Sequence, residues 1–225
     1  YLRAQAARIA KRLKDELGTK SVTKAIDPVV LDRVLDEAFE RQELLTLFRP
    51  LYRRALADAF EEASKSINTD LLFEPAQLER EAVAAVRQME TSILSTTRTD
   101  VGRLVNTLIS QGVTLPEMQS QIVQASSFSP ERAMTIARTE TTRVANHAAN
   151  EAYTRAEESG IKVQKMWLSA RDNAVRDTHR DLDGQTVPSK GTFSISGATA
   201  SAPGGFGTGA LDINCRCSII GKVAT

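Results

Sequence analysis

The chain has little histidine and little cysteine: His147, His179, Cys215 and Cys217 are the full set in 225 residues. Two histidines exclude a metal site built from several imidazoles. Two cysteines one residue apart exclude a disulfide scaffold. A bridge between them would be strained, because a disulfide needs Cα atoms ~4.4–6.8 Å apart with converging Cβ vectors, so a reduced, cytoplasmic setting is the default. Aromatics are only 5% of the chain, which points to an aliphatic core. No run approaches the ~18–20 apolar residues of a membrane-spanning helix. There is no P-loop, no GxSxG and no HExxH. No secretory signal opens the chain, and Tyr1 in place of a methionine reads as the start of a fragment with residues upstream.

Charge of one sign is also missing. The net charge is +1, so no global basic field attracts nucleic acid. The distribution is uneven, however. Residues 1–24 carry Arg3, Arg8, Lys11, Arg12, Lys14, Lys20 and Lys24 against Asp15 and Glu16. This is either a solvated helix face or a contact for DNA or an acidic partner.

What is present is mostly helical pattern. Leu2, Ala6, Ile9, Ala10, Leu13 and Leu17 recur at spacings of three and four, and Gly18 stops them. Asp27 and Pro28 open a second helix, expected to run to about Phe48, with a break or kink at Pro50 and a further helix to about Ile67. A long helix follows from Pro75 to Ile109, closed by Gly112. TLPE at 114–117 is a capping box for a short helix. Ser129 and Pro130 open a helix of about 30 residues, with a small apolar stripe of Ala133, Ala137, Val144, Ala148 and Ala152. Composition changes after it: eight of the twelve glycines lie at or after Gly184. Residues 161–169 read as a strand, SARD at 169–172 as a second capping box with a helix to Leu182, 185–214 as glycine-rich loop, and 215–220 as a last strand. The fold class is therefore α+β. Its N-terminal half is mostly helical (1–127), and 128–225 form a small α+β domain with few strands and a long glycine-rich loop.

Three constellations could carry chemistry. On a helix after Trp167, Asp172, Arg176 and His179 at i, i+4, i+7 would share one face, extended by Asp183, and could orient the histidine for metal ligation or proton transfer. The alternative is a capping residue, an exposed ion pair and a packed histidine. On a strand, Cys215 and Cys217 point one way and Arg216 the other. Two thiols on one face suit a soft metal such as zinc, with His179 as third ligand and Asp183, Asp212, water or another chain as fourth. Buried packing, redox chemistry and an intermolecular disulfide are the alternatives. The long helix carries a polar stripe of Thr139, Arg143, Asn146 and Asn150, and Glu140 at its edge is half buried. It acts either as a general base or as an ion pair with Arg138, Arg143 or Arg176 that locks this helix to the α+β half. The glycine-rich SAPGGFGTG lacks the strand–loop–helix context of a phosphate cradle and reads as a mobile or partner-docked loop.

The order of these pieces resembles the Mu F-type minor head proteins of tailed phages. The matching residues are Arg138, Thr139, Glu140 and Asn146; Trp167; Asp172, Arg176, His179 and Gly184; and Asn214, Cys215, Arg216 and Cys217, over roughly residues 100–222. The resemblance implies a structural virion protein of the head interior or portal vertex. Its partners would be the portal and major capsid proteins, with phage DNA as a further candidate, and it would assemble in the host cytoplasm. It would act in head morphogenesis and in DNA packaging or ejection. It implies no enzymatic activity. It is compatible with a portal fused upstream, and the five residues after Ile220 leave no room for a downstream toxin. Two other readings compete: a metal-dependent enzyme on nucleic acid using Glu140, Asp172 and His179, and a DNA-binding accessory protein using the basic start.

Overall fold

The computed structural model describes residues 1–18 and 25–223. Lys20 and Lys24 of the basic start lie outside the described residues. The helices are α1 (Leu2–Leu17), α2 (Pro28–Leu35), α3 (Glu37–Ser66), α4 (Pro75–Ser110), α5 (Leu115–Gln124) and α6 (Pro130–Glu158), with one 3-10 turn at Ser126–Phe128. After α6 come β1 (Val163–Leu168), α7 (Asp177–Asp181), β2 (Thr186–Pro188), β3 (Phe193–Ile195), β4 (Ala198–Ala200), α8 (Gly209–Asp212) and β5 (Ser218–Val223). The class is α+β, as the sequence indicates. Two compact units form: residues 1–49 with 86–134, and residues 50–85 with 135–225.

Local chemistry sets most helix ends. Asp27 accepts from the Val29 amide at 2.7 Å, and Pro28 takes the first helical position of α2. Glu117 reaches back to the Thr114 amide at 2.8 Å, completing the capping box of α5. One expected boundary moves. α3 runs through Pro50 without a break, held by Leu44, Tyr52, Leu56 and Phe60, all buried. A proline removes one backbone donor, and burial on both sides of it keeps the helix continuous. The break falls at Asp36, in the left-handed region at φ 43°. Its N–H closes α2 on the Asp32 carbonyl at 2.9 Å, and its carboxylate accepts the Phe39 amide at 3.3 Å to open α3.

The first unit is all helix around Ile9, Leu13, Val34, Val86, Val105, Leu108 and Ile122. Its core holds a carboxylate. Glu40 is fully buried and accepts from the Tyr1 hydroxyl at 2.8 Å and from Arg8 at 2.9 and 2.6 Å, with Arg12 at 3.4 Å. Arg12 also pairs with Asp36 at 3.1 Å. Two cations of the basic start are thus committed to internal acids.

The second unit packs a three-stranded antiparallel sheet, order β2-β1-β5, with α6 and the 50–66 part of α3. On β1, Val163, Lys165 and Trp167 are buried in alternation. Gly221 on β5 comes so close to Tyr153 of α6 and Ile67 that an added Cβ would lie 2.6 Å and 2.8 Å from their side chains. The glycine-rich stretch is not one loop. β3 and β4 form a hairpin over Ser196 (φ 48°) and Gly197 (φ 84°), the two-residue turn whose central residues both take positive φ. The rest folds back on its own unit: Phe206 and Ala202 are buried, and a Cβ added at Gly204, which takes φ 83°, would lie 3.1 Å from the Arg143 Cα, so glycine suits the position on both counts. The expected mobile or partner-docked loop is a packed part of this unit.

Candidate metal centre

Trp167 anchors the site. It is fully buried, with ring centroids of Phe193, His179 and Phe206 at 5.2, 5.6 and 6.0 Å. The turn after β1 returns to it: Gly184, at φ 83°, donates its N–H to the Trp167 carbonyl at 2.9 Å, and Trp167 donates to Gln185 at 2.9 Å. This places α7, and so His179, against the indole.

The expected helix from SARD to Leu182 is shorter than its pattern. Residues 172–175 form a turn, because local polar groups capture the backbone before a helix can start. The Ser169 hydroxyl accepts from the Arg171 amide at 3.3 Å, and Asp172 accepts from the Ala174 amide at 2.9 Å. Only Asp177–Asp181 is helical, with Arg176 as its N-cap. Asp172, Arg176 and His179 therefore do not share a helix face. Asp172 instead receives both ends of the Arg216 guanidinium at 2.5 and 2.6 Å, which hold its carboxyl down at about 2. Arg176 donates to the Ile213 carbonyl.

Cys215 and Cys217 precede β5 rather than lie on it. Their predicted orientation holds all the same: both thiols point inward and Arg216 outward. The Sγ atoms of Cys215 and Cys217 lie 3.6 and 3.5 Å from one atom, His179 Nδ1. All three residues are buried. The hydrogen bond from Cys215 pulls Cys217 down toward the thiolate against its burial, with His179 adding to the pull; the same hydrogen bond and burial push Cys215 up. Among the described residues, His179 Nε2 is buried with no hydrogen-bond partner. Among the described residues these three form the one group of histidine, cysteine and acidic side chains close enough to share a metal ion. A paired thiol and an imidazole nitrogen converging on one point are soft donors that fit zinc.

The segment carrying the cysteines is fastened by α6. Thr139 Oγ1 accepts from the Asn214 amide at 3.0 Å, and Arg138 reaches Asn214 Oδ1 at 3.5 Å. Thr142 donates to the Cys215 carbonyl at 2.8 Å. Asn146 donates to the Cys217 carbonyl and accepts from the Ile219 amide, both at 2.9 Å, filling the outer edge of β5 with a side-chain amide. Asn150 accepts from Lys165, whose buried ammonium is pushed down to about 8 by desolvation. Glu140 pairs with Arg143 at 2.5 Å and accepts from Tyr52 at 2.7 Å, so it joins α6 to α3 rather than to the sheet.

The structure thus brings Arg138, Thr139, Asn146, Trp167, Asp172, Arg176, His179, Gly184, Asn214, Cys215, Arg216 and Cys217 into one neighbourhood. It keeps Glu140 in a separate ion pair. Two contributors were not singled out from sequence. Thr142 sits four residues before Asn146 and so on its face. Lys165 alternates with Val163 and Trp167, which signals an inward position.

Comparison with known proteins gives the same region a family. The model of the family described as Phage Mu protein F like protein matches residues 99–220. An NAD(+)--arginine ADP-ribosyltransferase EFV of Enterococcus faecalis (strain ATCC 700802 / V583) is 36% identical over 110 residues, 49% of this chain and 23% of that protein. Minor head protein GP7 of Bacillus phage SPP1 is 33% identical over 133 residues, 57% of this chain and 43% of that protein. The chain spans less than half the length of either relative. No solved structure matches. The family match covers more than half of the sequence, and the chain belongs to the Phage Mu protein F like family.

Proposed function

We propose that this chain is a structural minor head protein of a tailed phage, located in the virion at the head interior or portal vertex. In this reading it meets the portal and major capsid proteins, assembles with them in the host cytoplasm, and acts in head morphogenesis and in DNA packaging or ejection. The observation that carries it is the family match over 99–220, which contains every residue of the motif from Arg138 to Cys217; the relative named as a minor head protein supports it. The reading takes 128–225 as the Mu F-like domain, 1–127 as a helical region, and zinc as the cofactor of His179, Cys215 and Cys217. It assigns no catalysis. Glu140 and Asp172 are each neutralised by an arginine, and the arginine ADP-ribosyltransferase relative shares only 23% of its length with this chain. A DNA-binding role for the start of the chain is disfavoured by the commitment of Arg8 and Arg12 to Glu40 and Asp36. No described helix is long and apolar enough to cross a membrane.

The test is quantitative mass spectrometry of purified phage heads, with and without a functional portal gene. The expected result is low-copy incorporation that falls when the portal is missing. Heads that never contain the protein would overturn the assignment.

A further inference from the structure

The three donors are arranged as a metal would arrange them. Zinc–sulfur and zinc–imidazole bonds of ~2.3 and ~2.0–2.1 Å at a tetrahedral angle put sulfur and nitrogen about 3.5–3.6 Å apart. The observed separations are 3.6 Å for Cys215 and 3.5 Å for Cys217. A hydrogen-bonded thiol alone does not demand this equality. Neutral imidazole offers one lone pair at Nδ1, which serves one S–H donor well but not two. Equal approach of both sulfurs to one nitrogen matches the spacing a shared ion would set.

A tetrahedral ion needs a fourth ligand, and the carboxylates that could supply one are committed. Asp183 accepts from the Ser169 amide at 2.8 Å and from Arg171 at 3.0 Å. Asp212 accepts from the Phe206 and Thr208 amides, both at 3.1 Å, and caps the turn into α8. Asp172 is held by Arg216. No fourth histidine, cysteine or acidic side chain joins the group among the described residues. The indole of Trp167 and the ring of Phe206 close the inner side. The outer side is a small cavity walled by Ala170, Ala174, Val175, Arg176, Asn214 and Arg216, with the three donors at its floor. Its volume is about 10 Å³, near the space one water needs.

We propose that His179, Cys215 and Cys217 bind zinc as a three-ligand site whose fourth position is open to the cavity beside Arg176 and takes a water molecule exchangeable for a small anion. The inference rests on the zinc reading above and goes beyond it, because a purely structural zinc site is closed by four protein ligands, whereas an open position admits an outside donor. The ligand class follows from charge. Two thiolates and a neutral imidazole already cancel the charge of the ion, so an anion in the fourth position needs a nearby cation. The Arg216 guanidinium at the cavity wall is neutralised by Asp172, whereas Arg176 beside it donates to the uncharged Ile213 carbonyl and so keeps its charge as that cation.

The experiment loads the full chain with cobalt(II), after zinc has been counted by elemental analysis in protein purified without added metal. Cobalt in this donor set gives a sulfur-to-metal charge-transfer band in the near ultraviolet and d–d bands in the visible. Sodium azide is then titrated in. Saturable movement of the d–d bands with the sulfur band retained is the expected result. Arg176→Gln, which removes no ligand, is expected to keep both cobalt bands and to weaken azide several-fold. Cobalt bands that azide leaves unmoved would overturn the open position while leaving the metal reading intact. Absence of zinc and of any cobalt–sulfur band, in protein whose Trp167 emission shows a folded core, would overturn the metal reading itself.

Discussion

Asn146→Ala tests whether α6 holds the cysteine segment in place. Asn146 is 4% exposed and supplies two bonds to the other chain segment: its amide N–H to the Cys217 carbonyl and its carbonyl oxygen from the Ile219 amide. Alanine removes both partners and leaves two buried backbone groups unsatisfied. Each such loss costs ~1–3 kcal/mol. Water entering the vacated space recovers part of this, so the net expectation is a loss of about 2–4 kcal/mol. Thr142→Val is the scale for one bond, since it removes only the donor to the Cys215 carbonyl, and should cost about 1 kcal/mol. The assay is urea unfolding followed by tryptophan emission. Trp167 is the one tryptophan in the chain and is fully buried in this unit, so the signal reports the unit that the mutation affects. An Asn146→Ala midpoint that corresponds to less than ~0.5 kcal/mol, or no larger than that of Thr142→Val, would refute the clamp.

Lys165 is a buried ammonium with Asn150 as its partner, and its pKa is about 8 folded against 10.5 in the free side chain. The unfolded chain therefore binds more protons between those values, and stability rises with pH across that window; Lys165→Met should abolish the slope in a pH series of urea midpoints. Asp172 is held at about 2 against 3.8, so its contribution is present above pH 3.8 and lost as pH falls toward 2; Asp172→Asn should flatten the acid limb of the same series. Gly221→Ala places a methyl 2.6 Å from the Tyr153 ring and should cost ~1–3 kcal/mol by overpacking, read as a lower urea midpoint. Glu40→Gln breaks the pair between a fully buried carboxylate and the partly exposed Arg8 in the all-helical unit and should cost about 1.5–3 kcal/mol, visible as loss of amide-exchange protection in α1.

Helices were legible in the sequence wherever a cap or a stop residue coincided with the apolar period. This is why α1, α4, α5 and α6 begin and end where Gly18, Pro75, the Thr114–Glu117 box and Pro130 place them. Pro50 misled because proline acts on one hydrogen bond while burial acts on the whole helix. SARD misled because a capping box and two consecutive side-chain turns share the same residue types. At the site, the alternation rule put Cys215 and Cys217 on one side although they lie outside the strand, since extended chain alternates with or without a partner strand. The partnership with His179 was legible only as chemistry. Its geometry depends on the contact of β1, α7 and the 214–217 segment around one indole, which no local pattern encodes.

The spacing of the polar residues on α6 follows from the segment they receive. Thr139 holds residue 214 and Asn146 holds residue 217. Seven residues of helix rise about 10.5 Å, and three residues of extended chain cover about 10 Å. The two run side by side in step, which lets one helix face fasten Asn214, Cys215, Cys217 and Ile219 in succession. Asn146 does this at the outer edge of β5, where an unpaired strand would otherwise offer its backbone to another chain. The same contacts that fix both thiols toward His179 therefore also occupy one backbone donor of that edge, the Ile219 amide. The polar stripe and the N-C-R-C run are in this sense one device: the first sets the register, and the second carries the donors that the register aims.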